Sequence, residues 1–182
     1  MSLQHAILGI LQNEPMTGYD LKTKCFDGTI AHFWPADQAQ IYRTLDKLAE
    51  DGFLNYQITY QEGKPNRKVY RITPDGENEL SRWLLTPQAI TVYREPFLIQ
   101  LFFANKLAND TLLQLLEAQA NLHQARLSHY QHIPLPPLGN VKANRDLTLQ
   151  RLTLELGIKL EQAHLEWIAL SKEVIRNLEE NE

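Results

Sequence analysis

A single cysteine, Cys25, stands among the 182 residues, which excludes an internal disulfide framework. The first residues, MSLQHAILGIL, have neither the basic start nor the small-residue cleavage site of a secretory signal, so a cytoplasmic protein is expected. No apolar run approaches the roughly 20 residues that a membrane-spanning helix needs. Excess positive charge is missing too. The 18 Lys and Arg stand against 22 Asp and Glu, a formal net charge of -4, which counts mildly against nucleic-acid binding and leaves local distribution to decide. Catalytic patterns are lacking as well. The histidines (His5, His32, His123, His129, His132, His164) form no H-E-x-x-H, and Cys25 has no C-x-x-C partner. No metal, cofactor or enzymatic activity is therefore expected. His129 and His132, three apart on a helix, read as a solvated helix end rather than a shared metal site, and Cys25 as a small apolar residue near the helix-two core, with a redox sensor as the alternative.

What is present is 43% hydrophobic sequence, enough for one sizeable core or two small ones. Its patterning favours two, divided into residues 1–86 and 87–182. Ser2 followed by Leu3, Ala6, Ile7, Ile10 and Leu11 predicts a first helix with Ser2 as its cap. Thr17 can cap a second helix, GYDLKTKCF, and Asp27-Gly28 is a turn signal. A third helix is predicted over Asp37 to Asp51, where Ile41, Leu45 and Leu48 recur at helical spacing and Gly52 supplies the stop. Then FLNYQITY and KVYRI read as two strands of a hairpin, and Thr73-Pro74 starts a fourth helix.

Three helices followed by a two-stranded hairpin is the order of a winged helix-turn-helix domain. Two features make the order specific. Opposite the apolar row of the third helix lie Gln40, Arg43, Asp46 and Lys47. Between Glu62 and Arg71, four bases (Lys64, Arg67, Lys68, Arg71) face one acid, although the first 80 residues hold eight bases and eleven acids. Positive charge is thus concentrated on the hairpin tip. A helix of this kind fits the major groove, where Gln pairs bidentately with adenine and Arg with guanine. Gln38, Gln40 and Arg43 are the expected base-facing residues, with Tyr42 and Lys47 within reach of phosphates. Lys64, Arg67 and Lys68 are the expected wing contacts. The bland alternatives are a solvated helix face and a charge-protected strand edge.

In the second half, Phe97, Leu98, Ile99, Leu101, Phe102 and Phe103 predict a short buried helix. Asn109-Asp110 is the expected cap of a long helix to about His132, ended by IPLPPLG. The last helix, roughly Asn144 to Leu178, carries two apolar stripes. One runs Leu149, Leu152, Leu156, Leu160, Ala163, Trp167, Leu170, Val174 and Leu178 at near-heptad spacing; the other runs Leu147, Leu154, Ile158, Leu165, Ile168 and Ile175. A helix that is apolar on two sides needs two neighbours. The preceding helix covers one, so a second copy of the chain is expected on the other, with Leu149, Leu152, Leu156, Leu160, Trp167 and Leu170 as dimerisation residues. Trp167 has an alternative reading, as the aromatic lining of a small-molecule effector pocket.

These residues resemble the PadR family of transcriptional regulators. The resemblance lies in Leu8 to Leu11 with Thr17-Gly18-Tyr19-Asp20-Leu21, in Gln40-Ile41-Tyr42-Arg43 with Leu45, Leu48 and Asp51-Gly52, and in Lys68, Tyr70-Arg71-Ile72-Thr73 and Gly76. FWPADQAQIYRTL and the long helical C-terminal region look like the branch related to virulence-gene activators. The resemblance implies a mainly α fold with a small two-stranded β-wing: an N-terminal winged helix-turn-helix and a C-terminal helical dimerisation domain. It further implies a homodimer on a palindromic operator of double-stranded DNA, and a repressor is expected. The alternatives are a ligand-gated sensor and a protein-interaction module on a winged-helix scaffold.

Overall fold

The computed structural model describes residues 2–60, 66–138 and 144–178. The chain divides into two units, Met1–Ile90 and Thr91–Glu182.

In the first unit, α1 (Ser2–Asn13) leads into a two-residue strand β1 (Met16–Thr17). Ser2 is itself the first helical residue rather than the residue ahead of the helix. Helix α2 begins as an α-turn at Gly18–Asp20 and runs on as a π-helix over Leu21–Thr29. As expected, Thr17 caps it: the Asp20 amide donates to Thr17 Oγ1 at 3.1 Å, and that hydroxyl donates to Asp20 Oδ2 at 2.6 Å. A π-type bond from Ile30 N to Cys25 O at 3.0 Å spans Gly28, whose φ of -119° and ψ of -106° break the helical path at the anticipated Asp27-Gly28 turn. Helix α3 (Gln38–Glu50) follows, then the hairpin β2 (Leu54–Thr59) and β3 (Arg67–Ile72), then α4 (Pro74–Leu84).

The two-stranded wing hairpin forms as expected, and a short third strand joins its β3 edge, giving an antiparallel sheet in the order β1-β3-β2. Met16 pairs with Tyr70 and Thr17 with Val69, while Leu54 to Thr59 pair in register with Ile72 to Arg67. Two residues show no periodicity of their own, so only the fold, by bringing them beside β3, makes them a strand. The core of the unit collects Ile7, Leu8, Leu11, Leu21, Phe26, Ile41, Leu45, Leu48 and Leu80 around Tyr70, with the α3 row fully buried as its spacing requires. Burial pushes the Tyr70 phenol up to about 12, so it stays neutral at any physiological pH.

The second unit holds α5 (Pro96–Phe102), α6 (Asn109–Gln131) and α7 (Arg145–Arg176). Asn144 caps α7 by accepting from the Asp146 and Leu147 amides. The expected cap of α6 differs. Ala108 holds the cap position without a side-chain bond, and Asn109, inside the helix, donates from Nδ2 to Leu178 O at 2.9 Å. That bond joins the start of α6 to the end of α7, as their antiparallel packing allows. One stripe of α7 (Leu154, Ile158, Ile168, Ile175) is buried with Leu112, Leu116, Leu127 and Tyr130 of α6.

The other stripe is left uncovered. Leu149, Leu152, Leu156, Leu160 and Leu170 are between 49% and 61% exposed. Helix α5 departs from expectation in the same direction. Phe97 is buried, but Leu98, Ile99, Phe102 and Phe103 are exposed. Hydrophobicity alone records that a face is to be covered, not that the same chain covers it.

Candidate nucleic-acid interface

With Ile41, Leu45 and Leu48 turned into the core, geometry places Gln38, Gln40, Tyr42, Arg43, Asp46 and Lys47 on the exposed part of α3. The helix start is fixed by a capping box. Asp37 Oδ1 accepts from the Gln40 amide at 2.7 Å, and Gln40 Oε1 accepts from the Asp37 amide at 3.4 Å. The carbonyl of Gln40, expected to face bases, is therefore turned onto the backbone, which leaves its amide group as the available donor. The signal for this box is legible in the sequence as the D-x-x-Q spacing ahead of an apolar row. Arg43 folds its Nε onto Ala39 O at 3.3 Å, one turn back, with the rest of the guanidinium fork turned to solvent.

Tyr42 is exposed on one side and lies against Gly18 on the other. A Cβ at Gly18 would come within 2.7 Å of the Tyr42 ring, so the glycine of the T-G-Y-D stretch lets α2 and α3 approach. In the wing, Arg67 is exposed at the first residue of β3. Lys68 is exposed as well, but it is not idle. Its Nζ lies 4.4 Å from the centre of the Tyr56 ring and 3.9 Å from Asp46 Oδ1. Lys64 lies outside the described residues.

A second group of side chains gathers in the other unit. Glu161, on the buried side of α7, accepts from His123 Nδ1 at 2.6 Å and from Arg126 at 3.3 Å. His123 stacks on His164 at 4.3 Å, and burial together with that neighbouring imidazole holds His164 below the usual histidine range. Tyr93 reaches His164 Nε2 at 3.3 Å, and Trp167 meets Phe97 edge to face. Tyr93, Phe97, His123, His164 and Trp167 line a cavity of about 340 Å³ with Glu95, Leu98, Gln119, Leu160, Ala163 and Ile168. Trp167 is thus half-buried within the subunit, unlike the leucines grouped with it as dimerisation residues. Glu161 is not among the residues expected from the sequence, yet its position carries a signal: it falls in the gap between Ile158 and Leu165 of the buried stripe, where an unpaired acid would be costly.

Among the described residues no group of three or more His, Cys, Asp or Glu side chains is placed to hold a metal, and no helix is long and apolar enough to cross a membrane. Residues 7–82 match the family described as the Transcriptional regulator PadR-like family, and residues 93–177 match Virulence activator alpha C-term. The Negative transcriptional regulator PadR of Bacillus subtilis (strain 168) is 35% identical over 130 residues, 71% of this chain and 71% of that one. Bacillus subtilis PadR in complex with operator DNA has a similar structure, with a TM-score of 0.83 at 28% identity over 96% of this chain and 99% of that one. The same protein in complex with p-coumaric acid gives 0.78 at 27% identity over 97% and 100%. Taken with the helix order, the capped α3 and the wing, these similarities show that the chain belongs to the PadR-like family of transcriptional regulators, which are not enzymes.

Proposed function

We propose that this regulator is a cytoplasmic homodimer that represses transcription by binding a palindromic operator. The N-terminal 86 residues serve as the DNA-binding domain, and residues 87–182 as the dimerisation domain. The observation that carries the reading is α3: its apolar row is buried, its polar side is exposed, and a basic hairpin flanks it. The likeness to PadR bound to operator DNA supports it. In this reading Gln38, the Gln40 amide and Arg43 face base edges, Tyr42 and Lys47 meet phosphates, and Lys64, Arg67 and Lys68 follow the backbone beside them. The uncovered stripe of Leu149, Leu152, Leu156, Leu160 and Leu170 supports a second copy of the chain, since monomers rarely leave so continuous an apolar face in water. Trp167 borders that seam through its exposed edge.

Fluorescence anisotropy with the promoter DNA of the protein's own operon, at low and at high salt, tests the proposal. Affinity is expected to fall steeply with salt, as counterions released by each phosphate contact require. Absence of binding at low salt, or binding indifferent to salt, overturns it. Arg43→Ala is expected to cost about 1–3 kcal/mol on the operator and to relax its sequence preference, whereas Arg67→Ala weakens all duplexes alike.

A second site is favoured by the cavity around Trp167, Phe97 and His164. Its volume and its aromatic and imidazole walls suit a single-ring aromatic effector, the class to which the p-coumaric acid bound by Bacillus subtilis PadR belongs. On titration with p-coumaric acid, Tm is expected to rise and operator affinity to fall. An unchanged Tm with unchanged operator binding removes this ligand from the reading.

A further inference from the structure

Among the described residues, an ion pair links the exposed side of α3 to the wing. Lys68 pairs across the sheet with Ile58, so its side chain shares a face of the wing with Ile58 and Tyr56, two residues along β2. From that face its Nζ sits over the Tyr56 ring and reaches to 3.9 Å from Asp46 Oδ1. Both partners remain about half exposed, at 45% for Lys68 and 60% for Asp46, so the pair contributes little to the fold. Its consequence falls on whatever else competes for the ammonium group. Asp46 is also not alone. From Asp37 to Asp51, four acids (Asp37, Asp46, Glu50, Asp51) accompany two bases (Arg43, Lys47), and among the described residues Asp46 is the acid of α3 paired with a wing lysine.

Resting on the reading of α3 and the wing as the DNA interface, we propose that Asp46 is a specificity-determining residue that restrains binding to duplex of arbitrary sequence by occupying Lys68. A phosphate that binds Lys68 competes with Asp46 for the ammonium charge, and the carboxylate is then left beside a polyanion. On a sequence that offers α3 no base contacts, nothing offsets that exchange. On the operator, the base contacts do. Asp46 thereby lowers the affinity for non-specific duplex more than the affinity for the operator, which is how a repulsive element improves discrimination. The acidic character of α3, which weakens the helix as a DNA ligand, acts in this way as a filter.

The test compares wild type, Asp46→Asn, Lys68→Met, the double variant, and Glu77→Gln as a control for net charge on the exposed first turn of α4. Each is titrated by anisotropy with the operon's promoter DNA and with a mixed-sequence duplex over a range of salt. Asp46→Asn is expected to tighten the mixed-sequence duplex several-fold, to tighten promoter DNA less, and to steepen the salt slope toward about 0.9 per additional phosphate neutralised. In the Lys68→Met background the effect of Asp46→Asn is expected to disappear. If Asp46→Asn does no more than Glu77→Gln, or tightens both duplexes equally, the inference fails while the DNA-binding reading stands. If its effect survives in Lys68→Met, Asp46 acts by direct repulsion and the role given to Lys68 is wrong. A wild-type protein that binds neither duplex overturns the DNA-binding reading itself, and the inference with it.

Discussion

Leu152→Glu combined with Leu156→Glu is expected to yield a folded monomer that has lost nearly all affinity for operator DNA. Both leucines are about half exposed on the uncovered side of α7, whereas the stripe that packs on α6 is formed by Leu154, Ile158, Ile168 and Ile175. Substitution there spares the intramolecular core, so helix content should be retained. In a dimer seam the two carboxylates of each copy would be taken out of water without partners, a cost of several kcal/mol per unpaired charge that a helical interface cannot absorb. Separating two winged helices that share one palindrome then forfeits avidity of about 10²–10⁴-fold. Light scattering reads the mass and anisotropy the affinity. Persistence of a dimer at micromolar concentration would place the second copy on another surface, and a monomeric wild type would remove the second copy altogether.

The second large effect is expected at Gly76, through the fold rather than the interface. Gly76 is buried in the first turn of α4, where its amide donates to Thr73 Oγ1 at 3.1 Å. Thr73 Oγ1 in turn donates to Gly52 O at 2.7 Å, and the Thr73 amide donates to Phe53 O at 3.0 Å. A Cβ at Gly76 would lie 2.3 Å from that same Phe53 oxygen and 2.8 Å from Ile72 Cγ1. A side chain could swing aside, but this oxygen belongs to backbone held between the Gly52 turn and β2. Gly76→Ala is therefore expected to cost about 3 kcal/mol, the upper range for overpacking, and to lower the Tm of the winged helix by more than roughly 10 °C. Gly9→Ala is the contrasting case. Nothing lies within 4 Å of its added Cβ, and alanine favours a helix interior, so a gain of about 0.5–1 kcal/mol is expected. Thermal unfolding of both variants checks the pair; an unchanged Tm for Gly76→Ala would mean that β2 yields easily at Phe53.

How much of this can be read from the chain differs between its parts. The α3 spacing of Ile41, Leu45 and Leu48 predicts both the helix and its buried side, because a period of 3.6 residues maps directly onto a face. The Thr17 and Thr73 caps, the Gly52 stop and the Pro-rich break after α6 are equally legible, each being set by local backbone chemistry. Expectations that depend on a distant neighbour fail. Strand β1 exists only because the fold brings Met16 and Thr17 beside β3. Ala108 rather than Asn109 holds the cap position of α6, and the Asn109 side chain donates to Leu178 O, 69 residues away in the chain. The apolar run Phe97 to Phe103 predicts a buried helix, but it takes a covering surface to bury it, and α5 exposes most of it.

The candidate interface divides along the same line. The residue types on the exposed side of α3, the basic wing and the two stripes of α7 were determined by the sequence alone, since each rests on spacing and charge. Tertiary structure decided which of those groups meet. It set Lys68 between Tyr56 and Asp46, paired Glu161 with His123, and gathered His123 and His164 into one cavity with Trp167. Periodicity fixes the direction a side chain leaves its own element, whereas ion pairs, stacking and cavities depend on distances between elements.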